Sequence, residues 1–458
     1  MGICGTGVGA LAGMLKAAGY LVTGSDRNVY PPMSDFLAAS GIAVKSGYGP
    51  ENLEPRPDLV VVGNVITRDN PEAVALAELG VPYLSMPKAL AHFFIGDRYS
   101  LVVTGTHGKT TTSSLLATVL RHAGQAPSFM IGGLVQAFGR NYNVADGRYF
   151  VAEGDEYDTA FFDKGPKFLH YRPKVAIITS IEFDRADIYA DLEAVKESFR
   201  KLVAIMPADG CLVAHLDDPV VREIVDAAPC PVVGYGRTPG LDWRLSGIEI
   251  GPGGTDFEVY KDGASYGRFK SVLPGVHNSL NCLAVTAVLD RLGLTSAEIG
   301  TGLAAFAGVK RRQEVRGVVR GVTVIDDFAH HPTAVRETLA ALRAAYAGRR
   351  LLAVFDPRTN SSRRRVFQDL FAASFGSADQ ILVREPEPLL KVPAEERFSA
   401  RQLVSDLRLK GQEADYFSDT DAIIEYIAQT AGQGDVVAIL SNGGFDNIHS
   451  RLLARLGE

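Results

Sequence analysis

Cysteine is scarce in this 458-residue chain: Cys4, Cys211, Cys230 and Cys282, with no CxxC pair among them. Such spacing excludes a disulfide frame or a cysteine-based zinc site and fits reduced, buried thiols. No run of about 18 apolar residues occurs and no leader peptide opens the chain, so a soluble, cytoplasmic protein with no membrane partner is expected. An excess of either charge is small too. The net charge is −6 and the pI about 5.9, which argues against a nucleic-acid partner. Low-complexity runs and internal repeats are missing. Apolar residues, in contrast, make up 46% of the chain, enough for several cores, and its length suggests about three domains.

The chain is organised around residues 101–114, LVVTGTHGKTTTSS. An apolar strand runs into a glycine-punctuated turn, then Lys109 and three threonines, then a helical segment. Backbone N–H groups of such a turn and of the helix N-terminus point at an anion, and Lys109 adds a mobile positive charge. Thr110 can place its hydroxyl on a magnesium ion. The usual loop is GxxxxGK[ST]; here Gly105 lies only three residues before Gly108. The plain alternative is a simple glycine turn between strand and helix. The full pattern GTHGKTT in this context favours an ATP site.

Before it, MGICGTGVGALAGMLKAAGYLVTGSD reads as a glycine turn, a helix near residues 10–18 and a strand ending in Asp26. This is a dinucleotide-type βαβ start, with Asp26 either facing a ligand or capping the next turn. The strand that should precede the turn is missing, which suggests a trimmed start or a misassigned initiator. Strands at 58–64 and 82–86 flank a helix opened by Asn70-Pro71, and alternation of strand and helix implies a parallel sheet.

After the glycine loop, VAEGDEYD closes an apolar strand, and Glu153 there can hold Mg²⁺ against phosphates. A solvated acidic loop is the alternative. Residues 175–189, VAIITSIEFDRADIY, deliver Thr179, Ser180, Glu182 and Asp184 to another strand end, with helix capping by Asp184 or Asp187 as a rival reading. The aromatic and basic stretch 158–171 is either packing or a surface for an acidic ligand. At 273–293 a Pro-Gly turn opens a helix where His277 and Asn281 share a face and Asn278 stands three before Asn281. Two Asn amides can read an adenine edge, whereas capping explains Asn278 alone.

In the last third, 308–314 (GVKRRQE) is either a hinge or a source of Arg311 or Arg312 for a phosphate across a cleft. Asp326-Asp327 and His330-His331-Pro332 follow a strand. One strand-to-helix turn leaves little room for four ligands on one ion, so substrate contacts are the expectation. Arg358 is the best anion ligand of 351–365, and SNGGF ends the last strand.

The stretches GICGT, SDRNVYPPMS, GNVITRDNP, GTHGKTTT, EGDEYDTAFFDK, KFLHY, IEFDRADIY, DDFAHHPTA, PRTN and SNGGF together resemble the Mur ligases, the ATP-dependent amide-forming family of bacterial cell-wall synthesis. The resemblance covers the chain nearly end to end. It implies an α/β protein of three domains: a Rossmann-like one at 1–97 for the UDP sugar, a P-loop-type ATPase at 98–308 with a mainly parallel sheet, and a Rossmann-like one at 309–458 for the amine and for closure over ATP. DEYDTAFFDK with KF and HY points to the branch that joins UDP-N-acetylmuramate to L-alanyl-γ-D-glutamyl-meso-diaminopimelate in peptidoglycan recycling. The L-alanine-adding branch, kept as the alternative, usually has serine where Tyr157 stands. A catalytically silent nucleotide-sugar-binding protein is the alternative of another class.

The site residues implied are Lys109, Glu153 and His277 for catalysis; Gly105, Thr106, His107, Gly108, Lys109, Thr110, Thr111, Asn278, Asn281, Arg312, Asp326 and Asp327 for ATP; Asp26, Tyr157, His330 and Arg358 for substrates; and Thr110 with Glu153 for Mg²⁺. A monomer or weak homodimer is expected. The family commonly has a magnesium-binding histidine where this chain has Arg185, which has no lone pair for a cation. A second magnesium would then fall to Glu182, Asp184 or water. Lys196 and Lys201 are the candidates for a carbamylated lysine.

Overall fold

The computed structural model describes residues 1–29 and 33–458. Tyr30-Pro31-Pro32, inside the SDRNVYPPMS match, lie outside the described residues. The expected α/β class is what the chain adopts, built on a ten-stranded central sheet. Its inner strands Cys211–His215, Val175–Ile178, Tyr99–Thr104, Tyr149–Glu153 and Ser128–Val135 run parallel. Antiparallel strands close both edges, with the meander Trp243–Gly251, Gly254–Lys261 and Ala264–Ser271 at one and Arg140–Asn143 at the other.

The inner strands are apolar on both faces because both faces are covered. Leu101 and Val103 pack on one side with Leu115, Leu116 and Leu120 of the helix Lys109–His122 and with Leu283 and Val285 of the helix Val276–Arg291. Val102 points to the other side, among Phe150, Ala176, Phe199 and Leu202. Polar residues are left at the carboxyl ends of three adjacent strands, where an open α/β sheet binds its ligands.

The N-terminal unit holds two separate parallel pairs, Thr23–Asp26 with Ala43–Ser46 and Val60–Val62 with Tyr83–Ser85. Residues 1–3 run between them. The amino group of Met1 donates to Val61 O at 2.8 Å, and Gly2 N donates to Ser25 O at 2.8 Å. These two bonds link the pairs through residues 1–3. The helix starts at Thr6, inside the glycine turn, and the strand begins only at Thr23, leaving Leu21 exposed. Asn70 caps the helix Pro71–Leu79 as expected, accepting from Glu72 N and Ala73 N.

The C-terminal unit is a six-stranded sheet whose inner strands Val322–Asp327, Val436–Leu440, Leu351–Phe355 and Gln380–Arg384 are parallel. The linker into it does not hang free. Lys310 N donates to Leu134 O, and Gln136 N donates to Gly308 O, so 308–310 is stitched to the central strand Ser128–Val135. One rival reading is corrected. Neither Asp184 nor Asp187 caps a helix, because the next helix, Leu192–Ala204, is capped by Asp191. The stretch 158–171 forms a hairpin followed by a short helical turn, with Lys164 on Asp158 and Lys167 on Asp155.

Candidate active site

A cavity of about 930 Å³ opens at those strand ends. All three units line it: Thr6 and Gly7 from the first, the phosphate loop and Glu153 from the second, Arg312, Asp327 and His330 from the third. Its floor is the turn 105–109. Gly105 and Gly108 have φ of 125° and 78°, a region L side chains avoid. A Cβ on Gly105 would stand 2.1 Å from Thr179 Oγ1, and one on Gly108 2.7 Å from Asn281 Oδ1. Thr106 N donates to Ser180 O and His107 N to Ser180 Oγ, so these two amides hold the turn's shape rather than a ligand. Among the described residues, the N–H groups of Lys109, Thr110 and Thr111 find no partner, and the helix has no side-chain cap. Orphan donors at the start of a 14-residue helix are what a phosphate chain satisfies.

The acidic run divides its work. Glu153 Oε1 accepts from Thr110 Oγ1 at 3.1 Å, Asp155 meets Lys167 at 3.0 Å, and Glu156 meets Lys109 Nζ at 2.9 Å. Lys109 Nζ also donates to Gly105 O at 2.6 Å, which folds it back over the turn. Burial works against its charge, but Glu156 and Asp155 hold its pKa above the ordinary value. Burial, helped by Asp155, pushes Glu153 up against the pull of Gly132 N–H, Lys109 and Arg312. A hard-oxygen pair of Thr110 hydroxyl and Glu153 carboxylate fits Mg²⁺. Sequence reasoning missed Glu156, whose only signal was its place three residues after Glu153.

Arg312 reaches across from the linker, with Nη2 3.3 Å from Thr110 Oγ1. The stitching of 308–310 to the central sheet places it there. Arg311 turns the other way, to Ser441 O and Gly443 O. On the opposite wall Asn278 donates to Pro274 O and to Gln313 Oε1, and Asn281 Nδ2 lies 3.5 Å from Asn278 Oδ1. Asn278 therefore does not cap its helix. His277 faces the cavity with Nδ1 shut off and unpartnered among the described residues. Burial brings its pKa down to about 4, so it is a neutral imidazole at neutral pH.

The two aspartates separate. Asp327 lines the cavity, where it accepts from Gln313 N and Ala329 N. Asp326 does not: it is buried against Arg311, Arg316 and His449. The expectation that either could face the ribose narrows to Asp327. His330 lines the cavity, but Arg358 lies outside it, bound to Asp356, Glu387 and Asp446. Asp26 is also outside, accepting from Cys4 N and Asn28 N, so it holds the first glycine turn to its strand. Lys196 and Lys201 do not line the cavity, and Lys196 is paired with Glu223.

Tyr157 and Arg185 stand together in the cavity. The Arg185 guanidinium lies 4.6 Å from the Tyr157 ring centroid, with Lys167 Nζ at 4.2 Å from the same ring. Arg185 has φ 55°, a strained value for a non-glycine residue. Among the described residues its side chain has no ion pair, although Tyr157, Asp184 and Glu156 outweigh burial and raise its pKa.

Comparisons with known proteins follow the same division of the chain. Models described as "Mur ligase family, catalytic domain", "Mur ligase middle domain" and "Mur ligase, glutamate ligase domain" match residues 1–98, 103–289 and 311–443. The UDP-N-acetylmuramate–L-alanyl-γ-D-glutamyl-meso-2,6-diaminoheptandioate ligase of Escherichia coli K12 is 39% identical over 100% of this chain and 98% of its own length. The UDP-N-acetylmuramate–L-alanine ligase of Geobacter sulfurreducens is 35% identical, over 100% and 97%. Among solved structures, a murein peptide ligase from Psychrobacter arcticus 273-4 aligns with a TM-score of 0.74 at 34% identity, covering 100% of this chain and 98% of that one.

Proposed function

The chain belongs to the Mur ligase family, and we infer that it joins UDP-N-acetylmuramate to L-alanyl-γ-D-glutamyl-meso-diaminopimelate, forming an amide bond with ATP. The observation that carries the choice of acceptor is the end-to-end identity of 39% to the ligase of that name, above the 35% to an alanine-adding relative. The reaction belongs to peptidoglycan recycling. We assign it to the cytoplasm; no helix among the described residues is long and apolar enough to cross a membrane.

In this reading the lactyl carboxylate of the muramic acid attacks the γ-phosphorus of ATP. The β–γ bridging P–O bond breaks, ADP leaves, and an acyl phosphate forms. The peptide amine then attacks the acyl carbon, loses a proton, and inorganic phosphate departs. Lys109 supplies the charge that follows the transferring phosphoryl group, and the amides of residues 109–111 fix the phosphates. Mg²⁺ held by Thr110 and Glu153 would neutralise phosphate charge in the ground state and the transition state. Arg312 sits where a β- or γ-phosphate oxygen would meet it. Arg185, buttressed by Tyr157, offers a second fixed cation for the sugar carboxylate or the acyl phosphate. Neutral His277 lines the nucleotide side with Asn278 and Asn281. His330, lowered to about 4 by burial, is a neutral contact for the acceptor.

The test is ADP release with UDP-N-acetylmuramate and a panel of amines from free alanine to the tripeptide. Turnover is expected with the tripeptide at far lower concentration than with alanine. Saturation by alanine at low concentration would assign the chain to the alanine branch. Binding of the nucleotide sugar without any turnover would assign it to a silent binding protein.

A further inference from the structure

The pair His330-His331 divides, and only His330 belongs to the acceptor side described above. His331 meets two groups of the central unit. Nε2 of His107 lies 3.3 Å and Nδ1 of His331 lies 3.5 Å from one oxygen, Oε2 of Glu182. All three donor atoms fall within 4.8 Å of one another.

The hydrogen bonds orient His331 as a metal-binding imidazole is oriented, with one ring nitrogen on a backbone carbonyl. The Phe183 carbonyl can only accept, so the His331 Nε2 that lies 3.2 Å from it carries the proton. Thr333 N–H donates to Nδ1, which is therefore the nitrogen with the lone pair. Thr333 N–H holds that lone pair only weakly, at 3.3 Å, so an ion would take it in place of this bond; Glu182 Oε2 beside it accepts from Thr333 Oγ1 at 2.7 Å. The His331 side chain is 6% exposed there and that of Glu182 35%. The spacing is also long for a charge-assisted hydrogen bond, about 2.7–2.9 Å. A tetrahedral ion with bonds of about 2.0–2.1 Å holds neighbouring donors about 3.3–3.4 Å apart, close to the two nitrogen–oxygen separations of 3.3 and 3.5 Å.

We propose that His107, Glu182 and His331 bind one zinc-like divalent cation, which ties the start of the helix Pro332–Ala345 to the phosphate loop. Two imidazoles and a carboxylate suit zinc or cobalt and leave one position for solvent; magnesium takes oxygen ligands. His107 and Glu182 come from the central unit and His331 from the C-terminal one. The site is complete only when the two are docked, so an ion there holds the closed arrangement. It is a different site from the one at Thr110 and Glu153.

The experiment uses the full-length chain, stripped with chelator and then titrated with Zn²⁺, and separately with Co²⁺, in excess Mg²⁺ and without nucleotide. One ion per chain is expected, with the intense visible absorption of four-coordinate Co²⁺. Glu182→Gln and His331→Gln are each expected to weaken binding by more than the roughly 10–100-fold that loss of an outer partner costs. Metal-free melting curves of the variants show whether they fold. Should either variant fail to fold, the Co²⁺ spectrum of the unaltered chain decides. No stoichiometric ion, a weak octahedral Co²⁺ spectrum, displacement by Mg²⁺, or unchanged affinity in folded variants would each overturn the proposal. None of these outcomes bears on the ligase reading, which the acceptor panel tests.

Discussion

The two flanking units are both α/β, yet they join the central one by different physics. The N-terminal unit shares a core with it: Leu11, Met14, Met86 and Leu90 lie in one buried cluster with Val102, Met130, Phe150 and Ile178. The C-terminal unit keeps its own cores, and central residues such as Phe183 and Ala186 only pack against their margin. Its junction is mostly polar: Arg312 on Thr110, His331 on Phe183 O, Thr333 on Glu182, Ser361 on Ala186 N and Asn360 on Asp187. A shared apolar core separates only with loss of burial, at about 25 cal/mol per Å². Hydrogen bonds to neutral groups give way to water at a modest net cost, about 0.5–1.5 kcal/mol each. The first unit is therefore the wall expected to stay in place, and the second the part expected to leave and return when product is released.

The largest effect should leave both junctions alone. Lys109→Ala removes the charge on the phosphoryl group, and turnover is expected to fall by at least about a hundredfold to a thousandfold. Thermal melting should still show a cooperative transition. Near-normal ADP release by this variant would remove the phosphate loop from the mechanism. Next comes the welded junction itself. Met14 is fully buried in the shared core, so Met14→Ala should cost about 2–5 kcal/mol by denaturant unfolding. A loss confined to the N-terminal unit, with the central sheet melting as before, would show that the core is less continuous than its packing implies. On the polar junction, Arg312→Ala should slow ADP release by about tenfold to a hundredfold with little change in melting temperature.

How far these junctions could be read from sequence depends on the kind of signal. Apolar strands ending in polar residues announced the parallel sheets and the carboxyl-edge site, because burial of both faces leaves a strong period-free pattern. GTHGKTT marked the glycine turn and the helix start by local pattern alone. Which of two neighbours faces the cavity was not legible. Arg312 rather than Arg311 follows from backbone turns at Arg311 and Gln313, both at positive φ, and Asp327 rather than Asp326 from which face of the strand Val322–Asp327 meets the cavity. Glu156 and the partners of His331 are set by pairings 47 and 149 residues apart, read from 156 against 109 and 331 against 182, for which one sequence carries no mark. Arg358 was chosen for its chemistry, but Asp356, Glu387 and Asp446 already surround it.

A pH measurement sharpens the picture of the cavity wall. His277 has a folded pKa of about 4 against an ordinary 6.5, because its charged form is desolvated. The unfolded chain therefore binds the extra proton between those values, and stability must rise with pH there, by up to about 1.4 kcal/mol per pH unit. It is lost as pH falls from about 6.5 toward 4. His277→Gln should flatten the slope of unfolding free energy against pH by up to one proton in that window. An unchanged slope would mean that the imidazole is hydrated in the cavity.

The smallest effect tests the latch. Thr333→Val keeps the shape at the helix start and deletes one donor to Glu182 Oε2. The N-terminal comparison predicts little for stability, within about 1 kcal/mol, because the bond is replaced by water when the units part. Amide exchange is where the change should appear. Residues 331–334 should lose protection while the helix Thr6–Ala17, seated in the shared core, keeps its own. If both regions loosened together, the C-terminal unit would be as firmly welded as the first, and separation at this junction would not be the step that frees product.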